Sequence, residues 1–166
     1  MEDITRLYSF EPVINSSSEL LILGTLPGPE SLRMKQYYAN PNNQFWWILY
    51  YVFDVTEIDT SYSGKLSFLL ERGIALWDIF HSAERVGALD SDIKNGVPND
   101  IPGLLNSFPR INQILLNGRK AEKSFYRYFP DIDVSTVYVP STSSANAKKP
   151  LYDKADVWKV AIMPNR

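Results

Sequence analysis

Four apolar runs in this 166-residue chain each end on residues that can hydrogen-bond. The first, Leu20 to Leu23, breaks at Gly24-Thr25-Leu26-Pro27-Gly28; the second, Ile74 to Trp77, ends at Asp78. The third, Ile111 to Leu116, gives way to Asn117-Gly118, and the fourth, Val134 to Val139, opens into Pro140-Ser141-Thr142-Ser143-Ser144-Ala145-Asn146. Glycines at 24 and 28 let backbone come close to a ligand, while Pro27 with Gly28 also makes an ordinary turn. Thr25 offers a hydroxyl and an N–H. The Ser141 to Ser144 hydroxyls and their amides suit phosphate oxygens, although such residues are common in any turn. Asp78 could orient a water or a donor, or cap a following turn. Between the first run and the next helix, Tyr37-Tyr38-Ala39-Asn40-Pro41-Asn42-Asn43 brings an aromatic face and several amides. Asn43 is both a candidate for placing water and a favoured helix N-cap, with Asn42 as the alternative cap.

These endings need a scaffold that brings them together. A short continuous apolar run bounded by turn residues reads as a strand covered on both faces. Helical periodicity appears over 43–54, with Phe45, Ile48, Leu49, Val52 and Phe53 at spacings of three and four. Further helices are expected over 66–72, ending near Gly73, and over 101–108, 119–129 and 151–162. Residues 1–19 read as an extended lead-in, with Phe10 and Val13 over the sheet. Residues 81–102 read as a long polar excursion. Strands alternating with helices predict a single α/β domain over 1–166: three α/β/α layers around a central, mostly parallel four-stranded sheet. In such a sheet the carboxyl ends of the strands share one edge, where ligands bind.

Composition narrows the chemistry. There is no cysteine and one histidine, His81. A disulfide framework, a cysteine-held metal centre and a histidine-rich metal site are therefore not expected. The net charge of −2 gives no global basic field, so any nucleic-acid contact must use a local patch. Lys148, Lys149 and the cluster Arg119, Lys120 and Lys123 are candidates for one. No apolar run approaches the ~20 residues that span a bilayer, and the acidic start lacks a signal-peptide core. A soluble cytoplasmic protein is expected.

The segments GTLPG and YYANPNNQFW together resemble the first motif of the uracil-DNA glycosylase superfamily, closest to its hypoxanthine-DNA glycosylase family and related to the mismatch-specific branch. VPSTSSAN, Val139 to Asn146, resembles the superfamily's second motif, and IALWDIFHSAERVGALDSDIKN and ILLNGRKA are similar to the hypoxanthine family. The resemblance spans nearly the whole chain. It implies a uracil-DNA glycosylase-like fold and a repair enzyme that needs no cofactor or metal. Such an enzyme acts as a monomer on double-stranded DNA, flips a deaminated base and hydrolyses its N-glycosidic bond. Hypoxanthine would be preferred, with uracil and xanthine also accepted. Asn43, by that likeness, and Asp78, by its place at a strand end, are the catalytic candidates. Gly24, Thr25, Leu26, Tyr38, Phe45 and Asn117 would hold the base, with Tyr38 as the stacking platform. Gly28, Ser141, Thr142, Ser143, Ser144, Ala145, Asn146 and Lys148 would hold DNA.

Two positions depart from the family pattern. Leu26 stands where the mismatch-specific branch has a water-activating asparagine, which points to the hypoxanthine family. Asn40 stands where histidine is usual and removes a titratable group. Two other readings remain: a nucleic-acid-binding relative that has lost catalysis, and a small-nucleotide or phosphoester hydrolase. The second lacks both a Walker lysine after GTLPG and an evident Ser-His pair.

Overall fold

The computed structural model describes residues 5–145 and 149–163. Asn146 and Lys148, expected at the DNA, lie outside the described residues. In chain order the strands are β1 (Arg6–Tyr8), β2 (Leu20–Gly24), β3 (Ile74–Asp78), β4 (Phe80–Glu84), β5 (Lys94–Pro98), β6 (Gln113–Asn117) and β7 (Ser135–Val139). The helices are α1 (Pro29–Met34), α2 (Phe45–Val52), α3 (Tyr62–Glu71), α4 (Ile101–Ser107), α5 (Arg119–Tyr128) and α6 (Leu151–Ile162).

The central sheet has the order β3-β2-β6-β7, and each neighbouring pair is parallel. Period-two alternation divides its side chains between two cores. Leu20, Ile22, Ile74 and Leu76 pack against the buried residues of α2, α3 and α6. Leu21, Leu23, Ala75, Ile114 and Leu116 pack against Ile101 and Leu104 of α4 and Phe125 of α5. This is the expected α/β/α sandwich. All five β2 residues are buried, and each large apolar side chain so covered stabilises the fold by about 1.5–3 kcal/mol. Local signals start the helices: Ser61 accepts from the Gly64 N–H ahead of α3, and Asp100 accepts from the Gly103 N–H ahead of α4.

Register turns this sheet into a platform. Gly24 lies opposite Asp78, and Asn117 opposite Val139, while Leu23 lies opposite Leu116 one step before. Asp78, Gly24, Asn117 and Val139 therefore form one row across the carboxyl edge, and the chemically equipped turns leave from that row.

Two stretches differ from expectation. No helix was expected between the Gly24–Gly28 turn and residue 43, but α1 lies there, opened by Gly28 and a proline in its first turn. The polar excursion at 81–102 contains two strands. With β1 they form a second, antiparallel sheet of order β1-β4-β5, whose register shifts between Phe80 and Ser82 and between Ser82 and Glu84. Its segment from Arg85 to Asp90 folds towards the edge of the main sheet. Val13 bridges Leu76, which holds the lead-in against β3.

Candidate active site

A cavity of about 390 Å³ opens where β2, β3, β6 and β7 end. Gly24–Ser31, Tyr37, Tyr38, Asn40, Asn43, Asp78, Asn117 and Ser141–Ala145 line it from the central sheet's turns, and Arg85 and Ala88–Asp90 line it from the second sheet.

Its floor is set by a close approach. A Cβ on Gly24 would stand 2.7 Å from Asp78 Oδ1 and 3.2 Å from the Tyr38 hydroxyl oxygen. No other residue fits there without moving both groups. Replacing Gly24 with alanine should therefore cost about 1–3 kcal/mol of stability and spoil the site. Calorimetry and an assay of base release on the same preparation would check this, and unchanged melting would show that the floor is looser than this packing implies. At position 28 a Cβ would meet nothing within 4 Å, so protein contacts do not require that glycine.

Asp78 is 5% exposed, and its Oδ2 is the one sealed side-chain oxygen or nitrogen without a hydrogen bond among the described residues. Burial first, then the neighbouring Asp90 carboxylate, push its pKa up from 3.8 to about 7, while Arg85 pulls it down. An unpaired buried carboxyl is costly, and such groups concentrate where a ligand completes them.

Tyr38 adopts a left-handed backbone, φ 55°, which a tyrosine rarely takes and which surrounding contacts must hold in place. Its ring stacks on Phe45 with centroids 3.9 Å apart and planes 15° apart. Desolvation raises its pKa, so the phenol stays protonated. Phe45, expected at the base, does not line the cavity. It opens α2 on the core-facing side, is 0% exposed, and supports Tyr38 from below, with Trp158 edge-on behind it.

Asn43 lines the cavity while its Oδ1 accepts from the Phe45 N–H at 2.9 Å. Neither Asn43 nor Asn42 is the N-cap of α2; Gln44 is, without a side-chain cap, and Asn43 just before it satisfies the first helical N–H. The second lone pair of Oδ1 and the amide Nδ2 remain for a ligand or water. Asn40 holds the preceding turn, its Oδ1 accepting from the Asn42 N–H and its carbonyl from the Asn43 N–H.

Asn117, expected to touch the base, has its amide spent inside the protein. Nδ2 donates to the Tyr38 hydroxyl oxygen and to Thr142 Oγ1, each at 3.2 Å, and Oδ1 accepts from the Thr142 N–H at 3.1 Å. It ties the tyrosine to the serine loop. Thr142, expected at the DNA, is 1% exposed, and its carbonyl also accepts from the Gln44 N–H. It anchors the loop. Ser143 is half-buried, and Ser144 and Ala145 are exposed at the rim. Within this loop Ser141 Oγ accepts from the Ser143 N–H, and Ser143 Oγ from the Ala145 N–H. Beneath it, fully buried Lys154 of α6 donates to Gln44 Oε1 at 2.7 Å.

Among the cavity residues that sequence reasoning missed are Asp90 and Arg85. Asp90 Oδ1 accepts from Thr25 Oγ1 at 2.8 Å, so the hydroxyl expected to serve the base is already engaged. Arg85 donates from Nη2 to the Pro27 carbonyl at 2.9 Å and from Nε to Gly87 at 3.0 Å. Both lie in the stretch read as a polar excursion, and no local periodicity marks them. Leu26 is 7% exposed and belongs mainly to the core beneath α4 and α5, with one edge in the cavity. Among the described residues no group of three or more His, Cys, Asp or Glu side chains could hold a metal ion.

A sequence profile of the Uracil DNA glycosylase superfamily matches residues 11–162. The chain belongs to that superfamily. Membership makes it a DNA N-glycosylase, a hydrolase of the bond between base and sugar. It is 37% identical over 139 residues to the hypoxanthine DNA glycosylase of Methanosarcina acetivorans, covering 84% of this chain and 87% of that one. It is 33% identical over 153 residues to the hypoxanthine DNA glycosylase of Methanosarcina barkeri, covering 92% and 96%. The solution NMR structure of a candidate uracil DNA glycosylase from Methanosarcina acetivorans superposes with a TM-score of 0.83 at 34% identity, covering 95% of this chain and 97% of that one. The superfamily's two motifs meet around the cavity: the Gly24–Gly28 turn with Tyr38 and Asn43 on one side, the serine loop on the other. No helix among the described residues is long and apolar enough to cross a membrane.

Proposed function

We propose that this glycosylase receives a deaminated base swung out of double-stranded DNA, with hypoxanthine preferred and uracil and xanthine accepted. The observation that carries the reading is the buried Asp78 carboxyl, short of a hydrogen-bond partner, among the residues that line a base-sized cavity. Deamination converts an amino-bearing edge into a lactam, an N–H beside a C=O. Hypoxanthine, xanthine and uracil all present that N–H, which an ionised Asp78 accepts. Adenine and cytosine present a lone pair at the same place, which the carboxylate repels. A cavity of about 390 Å³ has room for a purine and its sugar.

The remaining residues then take roles that follow from their free atoms. Tyr38 supplies the stacking face, backed by Phe45. Asn43 holds the water that adds to the sugar C1′, accepting from it through Oδ1 and donating through Nδ2. Ser143, Ser144 and Ala145 stand at the rim, where a strand bent by base flipping would pass. The protein acts as a monomer, because one cavity holds all of these groups.

Base release from labelled duplexes carrying one hypoxanthine, uracil or xanthine tests the proposal, at low salt because phosphate contacts are salt-sensitive. Release of hypoxanthine is expected. Release of uracil alone would overturn the substrate preference, and duplex binding without release would return the catalytically silent alternative. Replacing Tyr38 with alanine should weaken binding to a hypoxanthine-bearing duplex by about 1–3 kcal/mol, whereas Tyr38→Phe should bind like the parent. Equal titration curves for the alanine variant and the parent would leave Tyr38 a core residue only.

A further inference from the structure

We propose that Arg85 is a catalytic residue of this site, its guanidinium taking up the negative charge that gathers on the base as the glycosidic bond breaks. The inference rests on the glycosylase reading above and assigns a residue to the departing base, a task that reading left open.

Arg85 follows β4 and is 8% exposed, yet it lines the cavity. It is the one lysine or arginine among the cavity's lining residues. Two backbone carbonyls fix its orientation, that of Gly87 through Nε and that of Pro27 through Nη2. Of its five N–H donors, three remain without a protein acceptor among the described residues, both of those on Nη1 included. Asp78 Oδ2 is the one sealed and unpaired side-chain atom, so the unpaired Nη1 keeps access to solvent. A cation held by neutral carbonyls, with donors to spare, is poorly explained by stability alone. Burial works against its charge, and Asp90, Asp78 and Asp92 favour it only from a distance. An anion formed in the cavity would use those donors.

The chemistry requires such a partner. In deoxyinosine the C1′–N9 bond breaks with its electron pair going to the base, which spreads the charge over the purine nitrogens and O6. Water adds to C1′ and releases a proton to solvent, and the freed base later takes a proton from solvent. O6 is adjacent to the N–H that faces Asp78, so a donor lining the same cavity as Asp78 is placed to meet the atom whose charge grows. A fixed donor in a poorly solvated pocket acts more strongly on that charge than on the neutral ground state.

The test separates this role from merely pinning the Pro27 turn. Wild type, Arg85→Lys and Arg85→Gln are compared in single-turnover release of hypoxanthine. They are also compared in equilibrium binding to a duplex with the uncleavable 2′-fluoroarabino-inosine, and in thermal melting. Arg85→Gln is expected to release base about 10²-fold more slowly while binding the uncleavable duplex within about 3-fold of wild type. Arg85→Lys, which keeps a charge, should recover part of the rate. A rate within about 3-fold of wild type for Arg85→Gln, or rate and binding falling together in both variants, would overturn the proposal and leave Arg85 a structural clamp. Absence of release by wild type would fall on the glycosylase reading itself, since Arg85 would then have no reaction to serve.

Discussion

Asn43→Ala should release hypoxanthine about 10²–10³-fold more slowly than the parent, the loss seen when one positioned polar group is taken from a reaction centre. The substitution has a second consequence. Asn43 Oδ1 accepts from the Phe45 N–H at the start of α2, and losing such a hydrogen bond costs about 1 kcal/mol. Stability and rate are therefore entangled in the alanine variant. Asn43→Ser separates them, because a serine oxygen can still accept from the Phe45 N–H but carries no amide to hold water. It should melt close to the parent and yet be nearly as slow as Asn43→Ala. Single-turnover rates and melting temperatures from the same preparations decide the matter. A serine variant with the parental rate would confine Asn43 to that backbone contact.

Asp78→Asn should make the protein more stable and less active, with both effects depending on pH. The unfolded Asp78 sheds its proton near 3.8 and the folded one near about 7. Between those values the folded state keeps a proton that the unfolded state has lost. The stability linked to this group is thus complete below about 3.8 and is lost as pH rises through about 7. The whole loss is about 4 kcal/mol, and an amide at this position does not titrate. Denaturant unfolding at pH 4, 6 and 8 should show the variant's advantage widening with pH and levelling off above about 7. A constant difference would mean that Asp78 ionises without penalty. Activity should move the other way. Parental base release rises as Asp78 becomes an acceptor for the base N–H, and that limb should vanish in the variant. A stabilising substitution that costs activity is the expected behaviour of a group kept for function.

The sequence disclosed the platform better than its furnishings. Leu20 to Leu23 is legible as a strand because nothing in it is polar and Gly24 ends it sharply. The alternation of such runs with helices implied a parallel sheet, and a parallel sheet alone implies that Gly24, Asp78 and Asn117 share an edge. What those side chains do there depends on partners that no local pattern reveals. Asn117 looks available in sequence, but its amide is consumed by Tyr38 and Thr142. Phe45 lies within the first motif, but helical phase turns it into the core. Helix α1 buries only Ser31, so it carries little apolar periodicity, although Gly28-Pro29 was a usable start signal. The second sheet is built from strands rich in polar residues with shifted register, and periodicity could not announce it. Arg85 and Asp90 became visible only once that sheet brought them against the Gly24–Gly28 turn.

That last arrangement bears on the order in which the protein comes into being. The contact between Thr25 and Asp90 spans 65 residues of chain, and that between Pro27 and Arg85 spans 58. Contacts of such length form late, because a long loop must close before they contribute anything. On the ribosome, β2 can be made and its turn extruded long before either clamp exists. The turn reaches its final shape only when the second sheet has emerged and folded, and the edge row that completes the pocket waits longer still, for β6 and β7 to follow it off the ribosome.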